Sequence, residues 1–415
     1  MTAPADSALA ERIPFARTTI CDEARLAVTR VLASGWVTSG PEVAAFEQEF
    51  AAWMGAEHAV AVSSCTTALE LSLRSLRLRP GSPVLTSTIT FCGAVNAILH
   101  AGLRPVLVDV HPETLMPDAD TTARAVRLAG DPAAMVALHF AGHPAPVEEM
   151  AAAAGLPLAR VVEDAAHALG ARVGDRTVGT ISAATCFSFY ATKNLPIGEG
   201  GMVTTGDAAI ADTVRRSRLH GMSRDAWKRY LPGSSWRYSV EEPGLKANMT
   251  DVQAAIGRAQ MDHFPGWQAR RVEIVARYDR ALAQVPGIGL PARPTQGRHA
   301  WHLYVIRVLP SFPRSRDQLI AHLHDRGIDC SVHFIPMHTQ PYLGPLLGDG
   351  VDPARFPAAD AAFQQIVSLP LYPALGDDQV DRTCAAIAEV AAHGNGSHAN
   401  GARQRRPTTQ RRRPS

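Results

Sequence analysis

From about Ala59 to Thr205, short apolar runs rich in β-branched residues alternate with longer alanine- and leucine-rich stretches. HAVAV, SPVLTS, PVLVDV, AAMVALHF and LARVVEDA read as strands, whereas TTALELSLRSL and FCGAVNAILHAG have the length and composition of helices. VLVDV and ARVVED carry no polar alternation, as expected of strands covered on both faces. The pattern predicts an α/β fold, a mainly parallel sheet covered by helices, with ligands at the carboxyl edge of the strands. GARVGDRTVGT differs and predicts a hairpin around Gly174-Asp175, at the sheet margin before the strand TCFSF.

Beyond the sheet, TDVQAAIGRAQMDHF and WQARRVEIVARYDRALAQV predict a long helical region broken at Pro265 and ending near Pro286-Gly287. A domain boundary is placed there. Residues 1–286 form the large domain, with its N-terminal helices and the linking helix. Residues 287–393 form a smaller α+β domain, with HLYVIRVL and IDCSVHF as strands and RDQLIAHLHDRG and DDQVDRTCAAIAEVAAH as helices. Residues 394–415 hold six arginines, no acids and almost nothing to bury, so this tail is expected to be disordered.

Composition narrows the function classes. With 46% apolar residues among 415, the chain can bury a large core, and 41 basic against 39 acidic residues leave a formal charge of +2. No global field selects nucleic acid, a membrane or an acidic partner, so local sites carry the function. The six cysteines form no CxxC pair, which fits neither a zinc site nor a disulfide framework and points to a reducing cytoplasm. No metal site is expected. The first residues place acids and a proline before any apolar run, and no window reaches a membrane span's length, so no leader or anchor is expected.

The chemistry concentrates in TCFSFYATKNLPIGEGG, where Lys193 is the only cation, just after a strand and before a glycine-rich turn. An amine partly desolvated there has a lowered pKa and a free lone pair for attack on an aldehyde. Asp164 ends the strand RVVED at the same edge, where a carboxylate can keep a pyridine nitrogen protonated; alone, it reads first as a cap of the helix or turn that follows. His167 shares the following turn, and by itself would be a satisfied core histidine. VSSCTTALELSL places Ser64, Thr66 and Thr67 between a strand and a helix start, where hydroxyls, free N–H groups and the helix dipole converge on a phosphate. Ser188 is a second phosphate candidate, and Phe91, opening a helix after a strand, can stack on an aromatic ring.

Together, SSCTTAL, TFCGAVNAILHAG, EDAAHALGA, SFYATKNLPIGEGG, LKANMTDVQAAIG, AWHLYVIRV, GIDCSVHFIPMHTQPYL and SLPLYP resemble the DegT-like (DegT/StrS) family of sugar aminotransferases, from about Ile13 to Ala392. AWHLYVIRV and VHFIPMHTQ are similar to the branch that makes UDP-4-amino-4-deoxy-L-arabinose. The resemblance implies a fold-type I enzyme using pyridoxal 5′-phosphate and working as a homodimer with active sites at the subunit interface. By motif position, Lys193 resembles the Schiff-base lysine, Asp164 the partner of the pyridine nitrogen and His167 a ring contact. Thr66, Ser188, Thr67 and Ser64 match phosphate contacts, Phe91 a stacking aromatic, and Asn248 a residue reaching across from the neighbouring subunit. Many members carry NYRMTD where this chain has KANMTD, so Lys246 and Asn248 are expected to divide that role differently. Cys65 stands where the commoner SGTAAL has glycine, which implies altered loop geometry rather than lost binding.

The implied reaction moves an amino group from an amino acid, usually glutamate, to a keto sugar. A nucleotide-linked 4-keto sugar is the expected acceptor, with Lys246, His333 and Arg229 assigned to it. Arg229 belongs to RDAWKRYLPGSSWRY, where Arg224, Lys228 and Arg237 could also meet a diphosphate or a donor carboxylate. Rival readings are a keto-cyclitol or antibiotic-sugar acceptor, a dehydratase or oxidase on the same fold, and a non-catalytic regulator binding nucleic acid through its tail. The dehydratases have histidine where this chain has Lys193, and joint retention of Lys193, Asp164 and Ser188 argues against a regulator.

Overall fold

A computed structural model describes residues 12–223 and 237–399. Two helices, α1 (Asp22–Ser34) and α2 (Pro41–Met54), precede the first strand. The alternation then runs β1 (His58–Val62), α3 (Cys65–Ser75), β2 (Pro83–Ser87), α4 (Cys92–His100), β3 (Arg104–Val108) and α5 (Ala119–Ala129). It continues through β4 (Ala134–Leu138), α6 (Val147–Ala153), β5 (Val161–Asp164), the hairpin β6 (Arg172–Val173) and β7 (Arg176–Thr177), β8 (Ala184–Ser188), β9 (Gly201–Thr205) and α7 (Ala208–Ser217).

The seven-stranded sheet has the order β1-β9-β8-β5-β4-β2-β3. Strands β3, β2, β4, β5 and β8 pair in parallel, as their unbroken apolar runs predict, while β9 runs antiparallel to both β8 and β1. Register decides what meets at the carboxyl edge. Leu138 lies opposite Asp164, and Asp164 opposite Cys186, so β4 and β5 end level while β8 runs two residues further, to Ser188. Because β9 is reversed, its first residue, Gly201, pairs with both Val62 and Ser188. A Cβ on Gly201 would lie 2.5 Å from the Ser64 backbone, so only glycine lets the turn after β1 close onto β9.

The rest of the chain forms α8 (Asp251–Met261), α9 (Phe264–Leu282), β10 (Ile288–Gly289), β11 (Tyr304–Val308), α10 (Arg316–Asp325), α11 (Pro357–Phe363), β12 (Ile366–Leu369) and α12 (Asp377–Ala399). Pro265 sits in the first turn of α9, where its missing N–H costs nothing, so the expected break is the start of a helix. A small antiparallel sheet has the order β10-β11-β12. The expected strand IDCSVHF is not one. It makes only isolated bridges, Ile328 to Ile13 and Ser331 to Ser368, and the third strand comes from IVSL, after α11. The last helix runs to Ala399, into the segment expected to be disordered, and the remainder of that tail lies outside the described residues.

Period-two alternation joins the small sheet to the large one. Leu303 and Val305 pack with Leu85, Val106 and Leu138, whereas Tyr304 and Ile306 pack with Tyr278 of α9 and Val367. The segment before α1 crosses both parts: Ile13 bonds to Gly327 O at 2.7 Å, and Thr18 Oγ1 to Ala191 O at 2.7 Å. Among the described residues no helix is long and apolar enough to cross a membrane.

The first turn of α2 has no side-chain cap of its own and borrows one from α8. Asp251 Oδ1 accepts from Gly40 N (2.7 Å) and Val43 N (3.0 Å), and Oδ2 from Glu42 N (3.2 Å). Asp251→Ala leaves these donors without acceptors in a mostly buried place, and is expected to cost about 2 kcal/mol, measured by denaturant titration, without displacing the sheet.

Candidate functional site

A cavity of about 470 Å³ opens at the carboxyl edge of the sheet, between it and the residues around β11 and β12. Its floor holds Lys193 and Asp164, one wall carries Ser64, Thr66 and Ser188, and aromatic rings form the other side. Asp164 is 5% exposed and is the last residue of β5. Its Oδ1 accepts from Ala166 N (3.1 Å) and more weakly from Cys65 Sγ (3.9 Å). Among the described residues nothing donates to its other oxygen. Burial pushes this carboxyl up, against the backbone bond and the charge of Lys193.

Lys193 follows a tight turn, its N–H bonded to Tyr190 O at 2.8 Å. Burial lowers its ammonium from 10.5 to about 8, although Asp164 pulls the other way. Around it stand three imidazoles. The His302 Nε2 lies 3.4 Å from Lys193 Nζ. His167 is tilted against His302 with centroids 4.4 Å apart, and its Nδ1 accepts from Ala141 N (3.3 Å). His333 is held by Ser368 Oγ at 2.8 Å and stacks on Phe15. Burial and then Lys193 push His167 and His302 well below their ordinary value and His333 to about 4, so all three are neutral rings at pH 7.

The hydroxyl wall grows from the start of α3. Ser64 is its N-cap, its Oγ accepting from Thr67 N at 3.2 Å. Thr67 Oγ1 turns back to Ser64 Oγ (2.8 Å), so Thr67 braces the turn while Ser64 and Thr66 line the cavity. The earliest N–H groups of a helix have no intrahelical acceptor, and here they open towards the cavity wall. A Cβ on Gly93 would come within 2.6 Å of Thr66 Oγ1, so α4 approaches this wall closely only because that residue has no side chain. Cys65 is buried between Asp164 and β8, its Sγ at 3.5 Å from Cys186 O. It fills space beneath Asp164, which is how the loop accommodates a side chain in place of glycine.

Phe91 precedes α4, 58% exposed, with its ring 6.1 Å from that of Phe334 at the cavity mouth. The residues expected at the site thus converge for Lys193, Asp164, His167, Ser188, Thr66, Ser64, Phe91 and His333. Lys246 and Asn248 stand apart. Lys246 Nζ donates to Asn248 Oδ1 (2.5 Å), Asn248 Nδ2 donates to Ser39 Oγ (2.7 Å), and neither lines the cavity of its own chain. Arg229, with Arg224 and Lys228, lies outside the described residues. His302, Asn194, Phe15 and Phe334 escaped the sequence reading. Asn194 adjoins Lys193, but His302 lies 109 residues from it, and AWHLYVIRV carries no local sign of a site.

Residues 18–388 match the DegT/DnrJ/EryC1/StrS aminotransferase family. The spore coat polysaccharide biosynthesis protein SpsC of Bacillus subtilis is 44% identical over 380 residues, covering 91% of this chain and 97% of that protein. Among solved structures, the aminotransferase TlmJ of Streptoalloteichus hindustanus is similar at 32% identity with a TM-score of 0.80, covering 92% of this chain and 99% of that one. The putative sugar aminotransferase Spr1654 of Streptococcus pneumoniae, in its PLP form, matches at 29% identity and TM-score 0.83, covering 92% and 99%.

The buried ammonium has a measurable cost. Lys193 releases its proton near pH 8 in the fold and near 10.5 when unfolded, so the unfolded chain binds more protons between those values and stability rises with pH across that window. Cofactor-free Lys193→Met is expected to exceed the wild type in stability at pH 7, by up to about 3 kcal/mol. The advantage shrinks towards pH 10.5, as denaturant titrations at the two pH values will measure.

Proposed function

Because the chain belongs to the DegT/DnrJ/EryC1/StrS aminotransferase family, we propose that it carries pyridoxal 5′-phosphate on Lys193 and moves an amino group from glutamate to a nucleotide-linked 4-keto sugar. The observation that carries this reading is a single cavity lined by a lysine of lowered pKa, a buried carboxylate and a group of hydroxyls. Each part has its match in the cofactor. Asp164 offers a buried anion with an unused oxygen, suited to a protonated pyridine nitrogen. Ser64, Thr66 and Ser188, with the start of α3, offer donors to a phosphate. Phe91, His167 and Phe334 offer flat faces to a ring.

When bound, pyridoxal 5′-phosphate supplies an aldehyde that joins amines and a protonated ring that draws electrons from the neighbouring carbon. The chain's own groups do the rest. Lys193 would hold the resting cofactor through its Nζ, and once freed that amine could accept a proton and give it back. A pKa near 8 leaves an appreciable fraction of that amine unprotonated at neutral pH. His167, with Nδ1 accepting from Ala141, carries its proton on Nε2 and can donate there as a neutral acid.

The acceptor is read from family membership and from the polysaccharide role in the name of SpsC. His333, at the cavity mouth, is assigned to it. Lys246, which is exposed, and the half-buried Asn248 lie off the cavity of their own chain and are assigned to that of a second copy, which makes a homodimer with shared sites the working unit.

Protein supplied with pyridoxal 5′-phosphate is expected to turn yellow, borohydride to fix the colour on Lys193, and glutamate to bleach it. Lys193→Ala is expected to lose at least about 100-fold in the glutamate half-reaction. A colourless wild type would overturn the cofactor assignment. Incubation with glutamate and a panel of keto-sugar nucleotides is expected to give an aminated product, and product from none of them would remove the acceptor.

A further inference from the structure

Lys193 does not meet its neighbours at random. Asn194, the next residue, is 5% exposed and points away from the cavity, where its Nδ2 donates to Ala300 O (2.8 Å) and Gln268 Oε1 (3.3 Å). Gln268 Nε2 donates to the same Ala300 carbonyl, also at 2.8 Å. A carbonyl oxygen only accepts, so the amide nitrogen of Asn194 must face it, and the amide oxygen must face the other way. That oxygen lies 3.0 Å from His302 Nδ1. It too only accepts, so His302 carries its hydrogen on Nδ1. In a neutral ring the other nitrogen is then bare. The bare Nε2 is the atom that lies 3.4 Å from Lys193 Nζ. The chain of constraint runs from Ala300 through Asn194 and His302 to the lysine amine.

We propose that His302 is a positioning residue for Lys193: fixed by Asn194 in the tautomer whose Nε2 accepts, it holds one N–H of the lysine and so turns the amine towards the cavity. This rests on Lys193 being the reacting amine, as assigned above, but the hydrogen bond belongs to the chain itself. An amine with one N–H anchored keeps its lone pair off the imidazole and available to the cavity. The acceptor also favours the ammonium over the amine, because a charged donor makes the stronger bond. His302 therefore opposes the desolvation that lowers Lys193. The groups facing His302 are Lys193, Asn194, His167 against its ring, Arg271, whose Nη1 lies 3.5 Å from the His302 carbonyl, and His333. Lys193 is in turn faced by Asp164 and Cys65. Lys193, Arg271 and His167 all oppose a proton on His302, which keeps the ring an acceptor.

The test titrates Lys193 in cofactor-free protein, following the pH dependence of its acetylation by acetic anhydride with mass spectrometry. In His302→Phe, which removes the acceptor but keeps a flat ring, the Lys193 pKa is expected to fall by about one unit, a tenfold change in the ammonium-to-amine ratio. His302→Gln returns an acceptor oxygen and is expected to recover most of that shift. A residue acting only by filling space predicts no such rescue. Unchanged pKa in His302→Phe, or a shift in His302→Gln as large as in His302→Phe, would overturn the proposal. In the unmodified protein, nitrogen-15 NMR of histidine is expected to find Nε2 of His302 unprotonated and Nε2 of His167 protonated near pH 7.5. A protonated Nε2 on His302 would sink the proposal without any variant. Both measurements read the apoprotein, so a wild type that binds no cofactor would end the functional reading and still leave this one decided.

Discussion

The structure turns on burying one amine. Lys193 is half-buried at the edge of an open cavity, and its ammonium is destabilised by that partial loss of water unless something compensates it. Asp164 compensates in part, and the same burial that lowers the lysine raises the carboxyl. Asp164 is the main charge opposing the lysine's desolvation, whereas Asp164 itself is relieved first by the Ala166 N–H and then by Lys193. Burial, and after it the lysine's charge, suppresses protonation of His167, His302 and His333, so three rings that could have added charge serve as neutral faces and acceptors. The cavity is thus a single titrating system with Lys193 at its centre.

The sheet brings that system together by register. Asp164, the last residue of β5, lies opposite Cys186, which sets it beside the strand that continues to Ser188 and then Lys193. The reversed β9 separates β1 from β8, so the hydroxyls following β1 reach Ser188 only across Gly201. Part of the aromatic side of the cavity, His302, His333 and Phe334, comes from chain more than a hundred residues later, and His302 leads into a strand whose alternate residues belong to different cores. Its placement depends on α9, whose Ile274, Tyr278 and Leu282 anchor the small sheet.

What the sequence revealed follows the range of the forces involved. The strands and helices up to Thr205 were legible because burial on both faces leaves unbroken apolar runs, and Lys193 and Asp164 because strand ends deliver side chains to an edge. IDCSVHF was misread as a strand, since β-branched residues mark extended chain whether or not a ladder forms; here the pairing partner, Ser368, is engaged at one position only. IVSL, four residues between a short helix and Pro370, is too brief to announce itself. His302 was out of reach for a different reason. Its role comes from an amide and a carbonyl that meet it only after the two sheets pack, and nothing in AWHLYVIRV encodes a tautomer.

The carbonyl of Ala300, which receives both Asn194 and Gln268, has a consequence for how such enzymes can diversify. The connection near residue 286 looks like a convenient crossover for exchanging C-terminal parts among relatives, since short turns there join packed elements. A crossover at that point would inherit Lys193, Asn194 and Gln268 from one parent and Ala300 and His302 from the other. Recombinants would then keep an intact cofactor cradle yet lose the alignment of the amine, unless the two parents matched at this contact. Genetic exchange that alters specificity is therefore better tolerated beyond β11 than before it.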